Sequence, residues 1–318
     1  MTKKQRKRIL YERTDNMEAL ASSIGEMFLL MLLGFFIRKR NLVSDAAVKE
    51  LGNILLSVIL PFSVLASGNE KCSEGILGNT LLCFLIVSLY YILALIISYL
   101  VCLRCVKKEY IPSSVNMAVF ANTSFIGLPL TEILFGAEGM IYAVVYNLLY
   151  NVFMFTIGVS LFSGRKSRGE RLRGMLLDPL TISSIISVVL FFSPWKLPSF
   201  LQGFLTVVGD ISVPLSMMLV GAWLVGIDFC KSVKRPSSYV VCLLRLVVLP
   251  FLVRLSLLPF SLDGTMTGTV VLISAVPVGA LNVILAGKYG HDTDYVNETM
   301  MLSIALSIVT LPLVILTL

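Results

Sequence analysis

Ten long apolar runs follow one another along the chain, and short polar or turn-forming segments separate them. Most of these runs are close to the length of about 20 residues that an α-helix needs to cross a bilayer. The pattern therefore predicts an all-α membrane protein with ten transmembrane helices, here called spans one to ten. To within a few residues, the spans cover 17–37, 45–67, 76–103, 113–134, 138–163, 176–194, 200–227, 238–260, 266–287 and 295–317.

The composition of the chain agrees with a membrane protein. Of its 318 residues, 57% are hydrophobic and 14% are charged, whereas soluble domains average about 45–50% and about 25%. A water-soluble globular enzyme is therefore disfavoured. Among the six cysteines, Cys102 and Cys105 form one isolated C-x2-C pair without a second pair or a nearby histidine, so no metal site is predicted.

Basic residues fall almost entirely in the loops that follow the odd-numbered spans. The loops after even-numbered spans contain only Lys71 and Lys196. Because cytoplasmic loops carry the excess of Lys and Arg, we predict that the odd-numbered loops are cytoplasmic and that both termini lie outside the plasma membrane. This topology also explains the net charge of +7 without a nucleic-acid partner. The basic residues in odd-numbered loops are Arg38, Lys39, Arg40, Arg104, Lys107, Lys108, Arg165, Lys166, Arg168, Arg171, Arg173, Lys231, Lys234, Arg235 and Lys288.

The N-terminal segment 1–16 disagrees with this orientation, because it would place six basic residues on the outer side. Two explanations remain open. The segment lies on the membrane surface as a basic tail, or the natural chain starts at Met17. The consistency of the other loops favours the second explanation.

Two parts of the chain repeat one another at a spacing of 153 residues. Span two contains LPFSVLASG and span seven contains VPLSMMLVG, with proline, serine and glycine at the same relative positions. Since five is an odd number of spans, the second copy would cross the membrane in the opposite sense, as in many secondary transporters. We therefore predict two inverted five-helix repeats, 17–163 and 176–318, joined by a cytosolic linker, 164–175. The matching pairs are Pro61 and Pro214, Ser63 and Ser216, Gly68 and Gly221, and Pro129 and Asn282, and Gly136 lies 154 residues before Gly290.

Spans four and nine are interrupted by proline, glycine and asparagine at mid-membrane depth. Proline removes a backbone donor and clashes with the preceding turn, and the freed backbone groups are tolerated only where they line a cavity. The exposed N-termini of half-helices carry partial positive charge, which suits an anionic substrate. The predicted substrate site contains Asn122, Thr123, Gly127 and Pro129 from one half and Pro277, Gly279 and Asn282 from the other.

Charged side chains inside spans are candidates for ion coupling or gating. We assign this role to Asp210, Glu26 and Arg245, and we expect Pro61 and Pro214 to support the helix breaks. Asp210 precedes Pro214 by four residues, so the same opened turn could expose it to a coupling ion. A proton relay through several histidines is excluded, because His291 is the only histidine.

Three segments of the chain resemble the auxin efflux carrier family: FANTSFIGLPL at 120–130, AVPVGALN at 275–282 with AGKYG at 286–290, and LSIALSIVTLPL at 302–313. The resemblance covers residues 17–318. It implies ten helices in two inverted repeats, with the fourth and ninth helices broken and crossing at the centre. Plant members carry a long cytosolic loop between spans five and six. This chain has only residues 164–175 there, so it looks like the compact bacterial members often labelled malate or malonate permeases.

These observations predict a secondary transporter that moves a small organic anion, such as malate or malonate, by alternating access. Two alternatives stay open: a transport-inactive membrane sensor on the same fold, and an exporter of an auxin-like weak acid. An enzyme is disfavoured, since neither a metalloprotease motif nor a pair of mid-span aspartates is present. We expect membrane lipid as a partner, Na⁺ or H⁺ as the only candidate cofactors, and a homodimer as one open oligomeric state. Substituting Asn122 or Asn282 with alanine is expected to abolish transport in a folded protein.

Overall fold

The computed structural model describes residues 25–26, 29–69, 76–163, 177, 179–193, 195–225, 235–260 and 262–318. The tail 1–16 and the linker 164–175 lie outside the described residues. The described chain is helical apart from short connections and two extended breaks. We number its helices α1 (29–39), α2 (Asp45–Gly68), α3 (Ile76–Cys105), α4 (Ile111–Val119), α5 (Thr123–Phe162), α6 (Pro179–Phe192), α7 (Ser199–Leu224), α8 (Pro236–Leu257), α9 (Gly264–Ala275), α10 (Leu281–Tyr289) and α11 (Thr293–Ile315).

Six helices within the described ranges are long and apolar enough to cross a membrane, namely α2, α3, α5, α7, α8 and α11. The chain is therefore an all-helical, multi-pass membrane protein, as the hydrophobic pattern predicts. The range of α5 includes parts of two predicted spans, and two helical segments meet within it at Gly136, where the backbone is not helical. Gly136 adopts φ 58° and ψ −153° there, a conformation that glycine reaches without a steric penalty. We call residues 123–135 and 137–162 the first and second arms of α5.

Three prolines within helices follow a local π-helical turn. Such turns cover Leu55–Ile59 before Pro61, Thr123–Gly127 before Pro129, and Leu244–Val248 before Pro250. A proline ring clashes with the carbonyl of the preceding turn and leaves it without a donor, and the wider π turn accommodates both effects. Pro61 is buried, whereas Pro214 follows a turn at 210–211 that bends α7.

Glycines allow neighbouring helices to approach closely. A side chain at Gly221 of α7 would collide with the backbone of Met31 in α1, and one at Gly34 of α1 would collide with the backbone of Met218 in α7. Likewise, a Cβ at Gly68 of α2 would lie 2.6 Å from the carbonyl oxygen of Ser187 in α6. Small residues at these contacts are typical of membrane helix packing. Helix α1 therefore packs on α7, and α6 packs on α2.

The start of α11 is fixed outside the apolar segment by Asp292. Its side chain accepts the backbone N–H of Tyr295 at 2.9 Å and pairs with Arg235 at 3.0 Å. Partial burial raises the pKa of Asp292, but these two donors stabilise its carboxylate more strongly. The pKa of Asp292 is therefore lowered from its ordinary value.

Candidate functional site

Two extended breaks lie side by side at the centre of the molecule. Helix α4 ends at Val119 and α5 begins at Thr123, while α9 ends at Ala275 and α10 begins at Leu281. The two breaks pair in antiparallel fashion through Ala121 and Val278. Four helix ends therefore meet at one point.

Backbone hydrogen bonds hold the two breaks together. The N–H of Asn122 donates to the carbonyl of Pro277 at 2.8 Å, and the N–H of Gly279 donates to the carbonyl of Phe120 at 3.2 Å. A Cβ at Gly279 would lie 2.6 Å from the carbonyl oxygen of Ala121. Only glycine permits this approach without displacing the other break.

Asn282 reinforces the same pairing from α10. Its Nδ2 atom donates to the carbonyls of Phe120 at 3.1 Å and Gly279 at 2.9 Å. Asn282 and its predicted repeat partner Pro129 occupy different places relative to the breaks. Ala121 and Val278 are 157 residues apart, and Pro129 lies in the second turn after its break, whereas Asn282 lies in the first.

Arg245 of α8 binds the C-terminal ends of both helices that enter the breaks. Its guanidinium donates to Ala118 and Val119 at the end of α4, at 3.3 and 2.9 Å. On the α9 side it donates to the carbonyls of Ile273, Ser274 and Val276, the last at 3.0 Å. The side chain is fully buried. One cation therefore satisfies carbonyls that both broken helices leave without an intrahelical partner.

The charge of Arg245 is balanced without a carboxylate among the described residues. Its one side-chain partner is the hydroxyl of Tyr90, at 3.2 Å. Each helix C-terminus is equivalent to about half a negative charge, so the two ends together supply roughly one counter-charge. The sequence indicated a gating or coupling role for Arg245, and the geometry shows that it joins the two breaks.

A cavity of about 370 Å³ lies against the breaks. The first turn of α5 and the first turn of α10 form part of its wall, and the exposed ends of Asp45 and Lys49 stand at its rim. Its volume falls within the usual range for small-molecule sites, about 300–1,000 Å³. The lining residues are Asp45, Val48, Lys49, Gly52, Asn53, Leu56, Ala121, Asn122, Thr123, Ser124, Phe125, Tyr150, Asn151, Phe155, Leu180, Trp223, Gly279, Ala280, Leu281 and Ile284.

Asn122 supplies a buried amide donor in this wall. Its Oδ1 atom accepts the N–H of Phe125 at 3.3 Å and so caps α5. Its Nδ2 atom is buried and has no hydrogen-bond partner among the described residues. Such a donor is costly to leave unpaired, and it lies beside the positive end of a helix. A carboxylate oxygen is the group that both features favour.

Thr123 is oriented by the second arm of α5. Its Oγ1 atom donates to Oδ1 of Asn147 at 3.2 Å, and nearby Asn151 donates to Thr181 of α6 at 2.6 Å. These two bonds fix the polar side of the cavity. An apolar wall faces it, where the rings of Phe125 and Trp223 meet edge to face at 5.0 Å.

The residues of the predicted substrate site separate into three groups in the structure. Asn122, Thr123 and Gly279 line the cavity, while Pro277 and Asn282 hold the breaks together behind it. Gly127 and Pro129 lie farther along α5, where Gly127 packs on Ile273. Asp210 and Glu26 are exposed and do not line this cavity.

Sequence reasoning did not assign Lys49, Tyr150 or Trp223 to the site. They come from α2, α5 and α7, and only the packing of these helices brings them to one wall. Lys49 lies between Asp45 and Glu50 at the start of α2, so its charge alone did not distinguish it in the sequence. Within the described part of the chain, no three His, Cys, Asp or Glu side chains group as a metal site.

Comparison with known proteins links the whole chain to transporters. The family described as membrane transport protein matches residues 20–173 and 168–315. The chain is also similar to an uncharacterized transporter of Methanothermobacter thermautotrophicus, with 26% identity over 301 residues, covering 92% of this chain and 96% of the relative. An uncharacterized transporter of Methanocaldococcus jannaschii is 22% identical over 296 residues, covering 90% and 95%.

Proposed function

Because the chain belongs to the membrane transport protein family, the auxin efflux carrier family that its motifs resemble, we propose that it is a secondary carrier of a small organic anion, a dicarboxylate such as malate or malonate. The observation that carries the proposal is the cavity at the paired breaks, where the unpaired amide of Asn122 lies beside the first turn of α5. Helix N-termini and amide donors are the groups that transporters use for carboxylates.

The charge distribution around the breaks favours an anion over a cation. Arg245 neutralises the C-terminal ends of α4 and α9, so the positive N-terminal ends of α5 and α10 remain uncompensated. Lys49 adds a positive charge at the rim, where the neighbouring Asp45 is paired with Arg38. A dicarboxylate would place one carboxylate at Asn122 and the other toward Lys49.

We further propose that the chain forms two inverted five-helix repeats, with the two broken helices crossing at their breaks. Two contacts between the halves support this arrangement. Helix α1 of the first half packs on α7 of the second half, and α2 of the first half packs on α6 of the second half. The antiparallel pairing of the breaks has the same symmetry. Alternating access would move the remaining helices about this crossing.

In the proposed orientation, the odd-numbered loops are cytoplasmic and the cavity opens toward the cytoplasm. Its rim residues Asp45 and Lys49 lie directly after the first of these loops. The structure would then correspond to an inward-facing state of the carrier.

A thermal-shift panel on the purified protein tests the proposed substrate class. It compares malate, malonate, succinate, amino acids and indole-3-acetate, each with and without sodium. A ligand at a hundred times its Kd stabilises the folded state by about 2.7 kcal/mol. We expect a shift from a dicarboxylate that disappears in Asn122→Ala.

The matched control is Asn297→Ala, at an exposed position on α11, which should keep the shift. Stabilisation by dicarboxylates that is equal in the two variants would contradict the assigned site. Stabilisation by indole-3-acetate alone would favour the auxin-like exporter.

A further inference from the structure

A second polar cavity, of about 130 Å³, lies between α2, the first arm of α5 and α7. It shares no lining residue with the cavity at the breaks. Glu132 of α5 lies in its wall together with Ser63 of α2 and Gln202 and Asp210 of α7. We call it the Glu132 cavity.

Glu132 is a half-buried carboxylate inside an apolar helix. Its hydrogen-bond partners in the described chain are two buried serines: Ser63 donates at 3.3 Å and Ser212 of α7 donates at 3.2 Å. No Lys, Arg or His among the described residues forms an ion pair with it. A carboxylate withdrawn from water is stabilised by a positive charge or by protonation, and ionisable groups at membrane depth mark functional sites.

Gln202 adds an oxygen that also has no partner in the described part of the chain. Its Nε2 atom donates to the carbonyl of Ala66 at 3.2 Å, which fixes the amide. Its Oε1 atom is buried and makes no hydrogen bond. An acceptor without a partner that shares a cavity with a carboxylate without a cationic partner is stabilised by a cation or a donor that reaches it.

The spacing of the oxygens fits a coordinated cation. The contacts of Glu132 with Ser63 and Ser212 span 3.2–3.5 Å, longer than the usual hydroxyl–carboxylate bond of about 2.5–2.7 Å. Adjacent ligands at about 2.3–2.6 Å from a cation lie roughly 3.2–3.7 Å apart in octahedral geometry. Each serine hydroxyl can donate its proton to Glu132 and still offer a lone pair.

We propose that the Glu132 cavity binds Na⁺, with Glu132, Ser63, Ser212 and Gln202 as ligands and Asp210 at its exposed edge. Among the assigned ligands, Glu132 is the one carboxylate and the other three groups are neutral oxygens, which matches a single positive charge. The exposed Asp210 lies outside this ligand set, whereas divalent sites in proteins collect several carboxylate ligands. Protonation of Glu132 in the absence of a cation would still leave Oε1 of Gln202 without a hydrogen-bond donor or a bound ion.

The site joins the two halves of the chain. Ser63 and Glu132 come from α2 and α5, and Ser212 and Gln202 come from α7. A bound Na⁺ would therefore stabilise one arrangement of α7 relative to α2 and α5. If the proposed carrier function holds, on which this last step rests, Na⁺ is its coupling ion. In the proposed repeat, α10 is the counterpart of the first arm, and it contains no acidic residue.

The test measures the melting temperature of the full-length purified protein in NaCl, KCl and choline chloride at equal ionic strength, without substrate. We expect NaCl to raise the Tm of the natural protein by at least about 2 °C over the other salts. Glu132→Gln should abolish the difference, and Ser212→Ala should shift its midpoint to higher NaCl concentration. Glu138→Gln, at an exposed glutamate on the same helix, is the matched control and should retain the full effect.

Three results would overturn the Na⁺ site. They are an equal response to all salts in the natural protein, a sodium effect that persists in Glu132→Gln, and a Tm that depends on pH through Glu132 but not on sodium. If Glu132→Gln does not fold, Ser212→Ala alone decides, because an unchanged midpoint rejects the assigned ligands.

A carboxylate titration in choline chloride separates this proposal from the carrier function. Retained carboxylate binding in Glu132→Gln without a sodium response supports both proposals. A sodium response with no binding of any carboxylate supports the Na⁺ site and contradicts the proposed substrate.

Discussion

Replacing Arg245 with methionine is the most informative perturbation of the crossing. The substitution keeps an unbranched side chain of similar length but removes every donor. Arg245 donates to five carbonyls and to the hydroxyl of Tyr90. These carbonyls are buried at helix ends, so no other donor replaces it.

The loss of stability in Arg245→Met follows from the hydrogen bonds that Arg245 makes. Hydrogen bonds to a charged group contribute roughly 1.5–3 kcal/mol each, and the bonds to Val119, Ser274 and Val276 are the shortest. The sum is an upper bound, because the methionine variant also avoids burying a charge. Leaving a buried acceptor without a donor costs about 1–3 kcal/mol, so these three carbonyls together give a loss of at least about 3 kcal/mol. At roughly 2–4 °C per kcal/mol, we expect the Tm to fall by at least roughly 6 °C.

The assay is thermal unfolding of the purified variants, together with carboxylate binding. Arg254→Met is the matched control on the same helix, since Arg254 donates to one exposed carbonyl, that of Thr317, at 2.9 Å. Arg245→Lys keeps the charge but cannot reach both helix ends, and its Tm should lie between the others. An Arg245→Met protein as stable as Arg254→Met would refute the conclusion that Arg245 joins the breaks.

Three further predictions concern other parts of the fold. Asn282→Ala should lower stability by about 1–3 kcal/mol and weaken carboxylate binding with it, and a variant with unchanged Tm would contradict its role in the breaks. Gly221→Ala should prevent close packing of α7 on α1 and give aggregated protein in gel filtration, whereas Gly203→Ala, where the added Cβ meets no atom within 4 Å, should remain monodisperse. The lowered pKa of Asp292 means that its contact with Arg235 stabilises the fold above the ordinary carboxyl pKa, and that this contribution disappears as the pH falls through the lowered value. Asp292→Asn should therefore flatten the acid limb of the Tm–pH profile, and an unchanged limb would count against the contact.

The positions of the helices along the chain were predictable, because a long run of apolar residues marks each of them. Spans two and three, 45–67 and 76–103, coincide closely with α2 and α3. The break in span nine was also visible, because Pro277 and Gly279 lie in it. The break in span four lies at 120–122, before Gly127 and Pro129, which belong to α5. Gly136 and Gly290 both adopt positive φ, which does not test the repeat in which the sequence paired them.

The tertiary partners of buried polar groups were not predictable from spacing. Arg245 lies more than a hundred residues from Val119 in the chain, and nothing local indicates that its partners are backbone carbonyls. Asn122 and Asn282 each lie in a broken span of the sequence. In the structure, however, Asn122 lines the cavity, whereas Asn282 donates a hydrogen bond from one break to the other. The environment of Glu132 was not predictable either, because the serines that face it come from α2 and α7.

Uptake of labelled malate and malonate into proteoliposomes tests the central claim most directly. The natural protein, Asn122→Ala and Asn297→Ala would be reconstituted at equal density and measured with and without an inward sodium gradient. We predict saturable uptake of a dicarboxylate by the natural protein and by Asn297→Ala, with loss of at least about tenfold in Asn122→Ala. Uptake that is equal in all three, or no uptake of either dicarboxylate by a protein that binds them, would contradict a carrier whose substrate site lies at the paired breaks.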